Sequence, residues 1–118
     1  MRRTLLKAKI QKAIVTEARL DYEGSLGLDE GLMKAADMIP FEKVHVYNIT
    51  NGERFSTYLI KEEKGSGKVA IYGAAAHKAG KGDQLIIVSY VQLDEDEIEF
   101  FMPRIVILDG KNKIKTIK

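Results

Sequence analysis

Apolar residues along this chain recur in short runs rather than in long helical stripes. Leu5 to Val15, Leu26 to Asp29, Val44 to Ile49, Arg54 to Ile60, Val69 to Tyr72, Leu85 to Val91 and Ile105 to Leu108 read as strands. Strands at such close intervals predict a mainly β protein, a barrel or a sandwich. Asn51-Gly52 tolerates positive φ and is the strongest hairpin signal. Gly65-Ser66-Gly67 reads as a second turn. Asp29 can cap a helix from about Glu30 to Met38, with Leu32, Ala35, Ala36 and Ile39 as its apolar stripe and Pro40 as its stop. Gly73 to Gly80 reads as a glycine-led turn entering a helical turn, and Asp94 to Phe101 as another before Pro103. The basic end, Lys111 to Lys118, reads as a solvated tail.

A length of 118 residues suits one compact domain, and no repeat or low-complexity linker divides it. The formal charge of +2 leaves no basic footprint for nucleic acid. Cysteine is absent, which excludes disulfides, thiolate nucleophiles and cysteine-based metal sites. No apolar run approaches the ~20 residues needed to span a bilayer, and the amino end lacks the apolar core of a signal peptide. The expectation is a cytoplasmic protein without membrane partners.

Most candidate chemistry reduces to structure. His45 and His77 lie far apart without partners at ligand spacing, so no metal site is expected. Gly65-Ser66-Gly67 lacks the lysine and spacing of a phosphate loop. Asp94 to Glu97 reads as a solvated helix start. Two stretches stand apart. In Arg54-Phe55-Ser56-Thr57-Tyr58, alternation sets the guanidinium and the phenol on one face. Thr57 points the other way and joins that face only through a bulge, a strong twist or a neighbouring subunit. In Gly24-Ser25, the serine hydroxyl can add to the upstream carbonyl and turn an amide into an ester, if the peptide is twisted and its oxyanion stabilised. Elimination then breaks the chain and leaves dehydroalanine, which hydrolyses to a pyruvoyl ketone able to form a Schiff base with an amine. Taken alone, a Gly-Ser pair is most often an ordinary turn.

Four segments together go further: Arg3-Thr4 with Lys9, Tyr22-Glu23-Gly24-Ser25, Thr50 to Tyr58, and Gly73-Ala74-Ala75-Ala76-His77. In this order and spacing they resemble the pyruvoyl-dependent aspartate decarboxylase family, over essentially the whole chain. The resemblance implies a double-psi β-barrel with short helices, assembled as a homotetramer with sites at subunit boundaries. It implies a zymogen, 1–118, cleaved autocatalytically between Gly24 and Ser25 into 1–24 and 25–118. The activity implied is decarboxylation of L-aspartate to β-alanine and carbon dioxide, supplying pantothenate and coenzyme A synthesis. The covalent pyruvoyl group stands in place of metal or pyridoxal phosphate.

Carried over position by position, Ser25 becomes the pyruvoyl group, and Thr57 polarises the Gly24 carbonyl and contacts substrate. Tyr58 is the proton donor. Arg54 grips a substrate carboxylate, Lys9 adds positive charge, and Gly73, Ala74 and Ala75 offer backbone groups. Tyr22 lies near the processing bond. Tyr72 departs from the pattern, standing where the family usually has asparagine, which puts local hydrogen bonding and substrate fit in question. Gln11 replaces a common histidine and cannot shuttle a proton. The alternative is a barrel of the same shape that never cleaves and serves as a ligand-binding or assembly module; Tyr72 is its best support.

Overall fold

A computed structural model describes residues 1–118. Nine strands form one mixed sheet: β1 (Arg2–Ile14), β2 (Glu17–Arg19), β3 (Ser25–Asp29), β4 (Lys43–Asn48), β5 (Arg54–Glu62), β6 (Val69–Tyr72), β7 (Gln84–Asp94), β8 (Arg104–Leu108) and β9 (Ile114–Ile117). Their spatial order is β2-β6-β3-β5-β4-β7-β1-β8-β9. Pairs β1/β8, β2/β6 and β3/β5 run parallel, and the others antiparallel. Only Val15 and Thr16 separate β1 from β2, yet β2 lies at the far edge of the sheet. The Thr16 amide donates to the Val69 carbonyl at 2.8 Å and the Val15 amide to the Asp83 carbonyl at 2.9 Å, so the sheet curls back on itself. The mainly β expectation holds, and the curl is consistent with a β-barrel.

Alternation along the strands explains the core. Ala8 and Ile10 of β1, Leu26 and Leu28 of β3, Val44 and Val46 of β4, and Leu59 of β5 are fully buried. Val69 and Ile71, Leu85 and Ile87, and Val106 and Leu108 continue the same inner face. Each of these leucine, isoleucine and valine side chains contributes roughly 1.5–3 kcal/mol by leaving water. Lys43, His45 and Tyr47 take the opposite face of β4, directly across from Tyr58, Ser56 and Arg54. The Asn51-Gly52 hairpin joins β4 to β5 as expected, with Gly52 at φ 80°.

Two expectations change. The first helix, α1 (Glu30–Ala35), stops short of Met38. Asp37 adopts φ 56°, its amide donating to the Lys34 carbonyl while that of Met38 donates to the Met33 carbonyl at 2.8 Å. That left-handed cap ends the helix before Pro40 is reached. The basic tail is not free either, because β9 pairs with the edge of β8 and the Lys118 amide donates to the Ile105 carbonyl at 2.8 Å. All four β9 residues stay exposed, so backbone pairing rather than burial holds it. A second short helix, α2 (Glu95–Ile98), begins at the acidic run, and Glu97 accepts from the Asp94 amide at 2.8 Å.

Asp29 pins the loops that flank the sheet. Its carboxylate accepts from the amides of Gly31 at 2.7 Å, Gly65 at 3.0 Å and Gly67 at 2.8 Å. The Gly-Ser-Gly turn is therefore a donor to a protein carboxylate. Burial opposes the Asp29 charge, but these backbone donors and Lys113 outweigh it and hold the carboxyl below its usual range. Asp29→Ala should cost about 2–5 kcal/mol by urea denaturation, from a lost cap and two stranded amides. Because the folded value is the lower one, this contribution is complete above the ordinary carboxylate value of about 4 and fades as pH falls through the folded value. Acid titration of stability should therefore be shallower in the variant.

Candidate active site

Ser25 opens β3 and is 4 % exposed. On one side it pairs with Tyr72 of β6. On the other, Leu26 stands opposite Leu59 of the parallel strand β5. Continued one step toward the amino end, that register sets Ser25 level with Tyr58, and one step further sets Gly24 level with Thr57. Neighbouring strands lie about 4.8 Å apart. Leu26, Leu59 and Ile71 face the core, so alternation turns Ser25, Tyr58 and Tyr72 to the outer face. Thr57 turns inward beside Val44, and the β5 register carries no bulge to reverse it.

The segment before Ser25 rests on bare backbone. Gly73 follows β6 with φ +76°, and a β-carbon there would lie 2.6 Å from the Gly24 α-carbon, 2.7 Å from its nitrogen and 2.9 Å from the Tyr22 carbonyl oxygen. No side chain fits in that gap. Gly73–His77 forms a short 3-10 helix in which Ala74 is exposed and Ala75 packs against the core. The first amides of such a turn lack partners within it.

Aromatic contacts add a second hold on the same segment. Tyr22 stacks on Tyr72 with ring centroids 5.1 Å apart. Arg19 donates to the Tyr22 hydroxyl at 2.6 Å and lies 4.5 Å from the ring centroid. The Tyr72 hydroxyl donates to Glu62 Oε2 at 3.0 Å. Burial, then the Glu62 hydrogen bond and charge, push the Tyr72 phenol above its usual value. Lys68 lies 3.5 Å from Glu62 and 3.4 Å from Glu17. Burial works against its charge, but Glu62, Tyr72 and Glu17 prevail and raise its ammonium above the ordinary range. Glu62 and Arg19 were not among the residues singled out from the sequence. Glu62 is four positions beyond Tyr58, on the same strand face, and that spacing was the available signal.

Arg54 and Lys9 belong to a separate group. Arg54 is four residues before Tyr58, about 13 Å along the strand, and its guanidinium lies 4.0 Å over the Tyr47 ring. Tyr47 and Tyr90 share a 2.7 Å hydrogen bond. That bond, aided by Arg54, lowers the Tyr47 phenol against the cost of burial, while Tyr90 is raised by its bond to Tyr47 and by burial. Lys9 shares the outer face through the row Lys9, Val88, His45 and Ser56. Three strand spacings, about 14 Å, separate it from β5. A cavity of about 210 Å³ lies on this group, lined by Thr4, Lys43, His45, Tyr90, Val91 and Gln92. It adjoins Tyr58 through Lys43, its cross-strand partner, rather than enclosing Ser25. Gln11 pairs with Ile107 of β8, on the side of β1 away from β7.

One sheet face thus carries a buried serine behind a twice-held glycine and, apart from it, a cationic and phenolic group. The model of the family described as "Aspartate decarboxylase" matches residues 1–115. Aspartate 1-decarboxylase of Ralstonia pickettii (strain 12J) is 52 % identical over 118 residues, covering 100 % of this chain and 98 % of its own. That of Syntrophobacter fumaroxidans (strain DSM 10017 / MPOB) is 53 % identical over 113 residues, covering 96 % and 91 %. That of Cupriavidus necator is 51 % identical over 118 residues, covering 100 % and 98 %. The chain belongs to the aspartate decarboxylase family, and this disfavours the ligand-binding or assembly alternative.

Gly73→Ala should destabilise the protein by upward of about 1–2 kcal/mol from positive-φ strain alone, read by thermal melting. Displacement of the Gly24 segment should also change the near-ultraviolet dichroism of the Tyr22–Tyr72 stack.

Proposed function

We propose that this chain decarboxylates L-aspartate to β-alanine and carbon dioxide with a pyruvoyl group made from its own Ser25. The observation that carries this reading is the Gly24 backbone lying on Gly73, with Ser25 buried between the strands of Tyr58 and Tyr72, in a member of the aspartate decarboxylase family. The residues fit such a group. Ser25 is shielded from water, and Gly73, having no side chain, lets the Gly24 backbone lie directly against it.

Cleavage begins when Ser25 Oγ bonds to the Gly24 carbonyl carbon and the C–N bond breaks, its nitrogen taking the hydroxyl proton. Thr57, level with Gly24, polarises that carbonyl. Loss of the Ser25 α-proton then breaks the Cβ–O bond, leaving a Gly24 carboxylate and dehydroalanine. One water replaces the enamine nitrogen, which leaves as ammonia, and the new terminus is pyruvoyl. Residues 1–24 and 25–118 remain as two pieces of one domain.

The pyruvoyl ketone supplies a sink for the electrons left when the α-carboxylate departs. Tyr58, 38 % exposed beside Ser25, holds the proton that the α-carbon takes up. Arg54 binds the side-chain carboxylate through its planar fork, and Lys9 adds positive charge to that end of the site. Gly73, Ala74 and Ala75 present backbone groups close to Ser25, and Tyr22 lies beside the bond that breaks.

Within one chain, Arg54 and Lys9 stand too far from Ser25 to share a small substrate. A homotetramer with sites at subunit boundaries brings the two groups together. Exposed apolar residues support such contacts: Phe41 is 76 % exposed beside Tyr58, and Leu20 is 56 % exposed near Tyr22. The setting we propose is cytoplasmic, supplying pantothenate and coenzyme A synthesis; no helix is long and apolar enough to cross a membrane.

Intact-mass measurement should find residues 1–24 and 25–118 as separate chains, and Ser25→Ala should stay whole. A wild-type protein that stays at full length with an unmodified serine would sink the reading. Arg54→Lys keeps the charge but loses the bidentate grip, about 1.5–3 kcal/mol. It should cut kcat/KM for aspartate by roughly 10- to 100-fold while cleavage proceeds at the wild-type rate.

A further inference from the structure

We propose that Glu62 is a positioning residue for chain cleavage, acting through Tyr72 to hold the Tyr22–Gly24 segment on Gly73. This rests on the reading that the Gly24–Ser25 bond breaks. Glu62 ends β5 on the outer face, and Tyr72 ends β6 on the far side of β3. A side chain normally reaches only the adjacent strand. Here Gly27 of β3 opens the path, because a β-carbon at Gly27 would collide with the Glu62 carboxylate. The carboxylate therefore crosses β3 and accepts from the Tyr72 hydroxyl at 3.0 Å.

That bond fixes the outer end of a ring whose inner end is anchored in the sheet opposite Ser25. Tyr22 lies on this ring at an interplanar angle of 21°. The next residue after Tyr72 is Gly73, which meets both the Tyr22 carbonyl and the Gly24 backbone. The same two adjacent residues thus hold the segment by its side chain and by its main chain. The groups facing the contact are Glu62 from β5, Lys68 from the β5–β6 connection, Glu17 and Arg19 from β2, and Tyr22. Lys68 lies 3.5 Å from Glu62 Oε1, leaving Oε2 to Tyr72.

Removing the Glu62 carboxylate takes away the acceptor of the hydroxyl of a tyrosine that is 4 % exposed. The ring then loses its fixed orientation, and Tyr22 with it. An attack that depends on near-contact alignment of Ser25 Oγ with the Gly24 carbonyl is sensitive to a displacement of that size: about 1 Å can cost ~100-fold.

The test follows cleavage of freshly purified full-length chain by intact mass, alongside a tyrosinate absorbance titration. Glu62→Ala and Tyr72→Phe should each slow cleavage by roughly tenfold or more. The double variant should be no slower than the worse single, since both changes break one hydrogen bond. Glu62→Gln, which keeps the shape and an acceptor oxygen, should cleave faster than Glu62→Ala. In the titration, Glu62→Ala should bring one late tyrosine back toward its ordinary value, and Tyr72→Phe should delete it, with Tyr90 unchanged as the internal reference. Folded single variants that cleave at the wild-type rate, or a double variant whose losses add, would overturn the inference alone. A wild-type chain that never cleaves would overturn the proposed function, and this inference with it.

Discussion

The approach of the Gly24 backbone to Gly73 is the contact on which the site depends. Two main chains meet there with no room for a single methyl group between them, and the positive φ of Gly73 turns β6 directly into the 3-10 helix at that point. A larger residue would push the Tyr22–Gly24 segment outward and carry Ser25 away from its place between β5 and β6. Everything proposed for the serine, from its attack on its own chain to the placing of a ketone beside Tyr58, begins from that fixed position.

A single alternation separates stability from chemistry. The fully buried inward residues Leu26, Leu28, Val44, Val46, Leu59, Val69 and Ile71 build the core, whereas Ser25, His45, Tyr47, Arg54, Tyr58, Glu62 and Tyr72 lie on the outward face. Moving a strand by one residue would exchange the two sets, so the hydrophobic core also fixes the register of the site. Thr57 shows the consequence. It turns inward beside Val44 and does not share the face of Tyr58; the β3/β5 register, continued two steps past its first pair, sets it level with Gly24.

Tyr72 carries more contacts than a compact amide could. It stacks on Tyr22, reaches Glu62 across Gly27 and keeps its proton through burial and the neighbouring carboxylate. The departure from the family pattern is thus a local rearrangement with its own partners. Elsewhere, isolated polar side chains join loops to the sheet. Asn112, 3 % exposed, accepts from the Ile14 amide and donates to the Ile14 and Gly67 carbonyls. Asn48 donates to Asp83 and to the Lys78 carbonyl.

Much of the architecture is legible in the chain itself. Short apolar runs marked seven of the nine strands, because burial of one strand face is written into the pattern of apolar positions; Asn51-Gly52 marked its hairpin through positive φ, and ordered motifs marked the family. The rest depended on partners distant in sequence. Strand β9 exists because β8 offers an open edge to a polar segment, and β2 because β6 offers another. The helix end at Asp37 arose from local backbone bonds that no apolar stripe records. The contact of Gly73 with Gly24, the reach of Glu62 past Gly27, and the separation of Lys9 from Ser25 were set by strand order. Residue types determined which groups could react. Only the folding of distant strands side by side decided which of them meet, since distance in space is set by pairing and not by position along the chain.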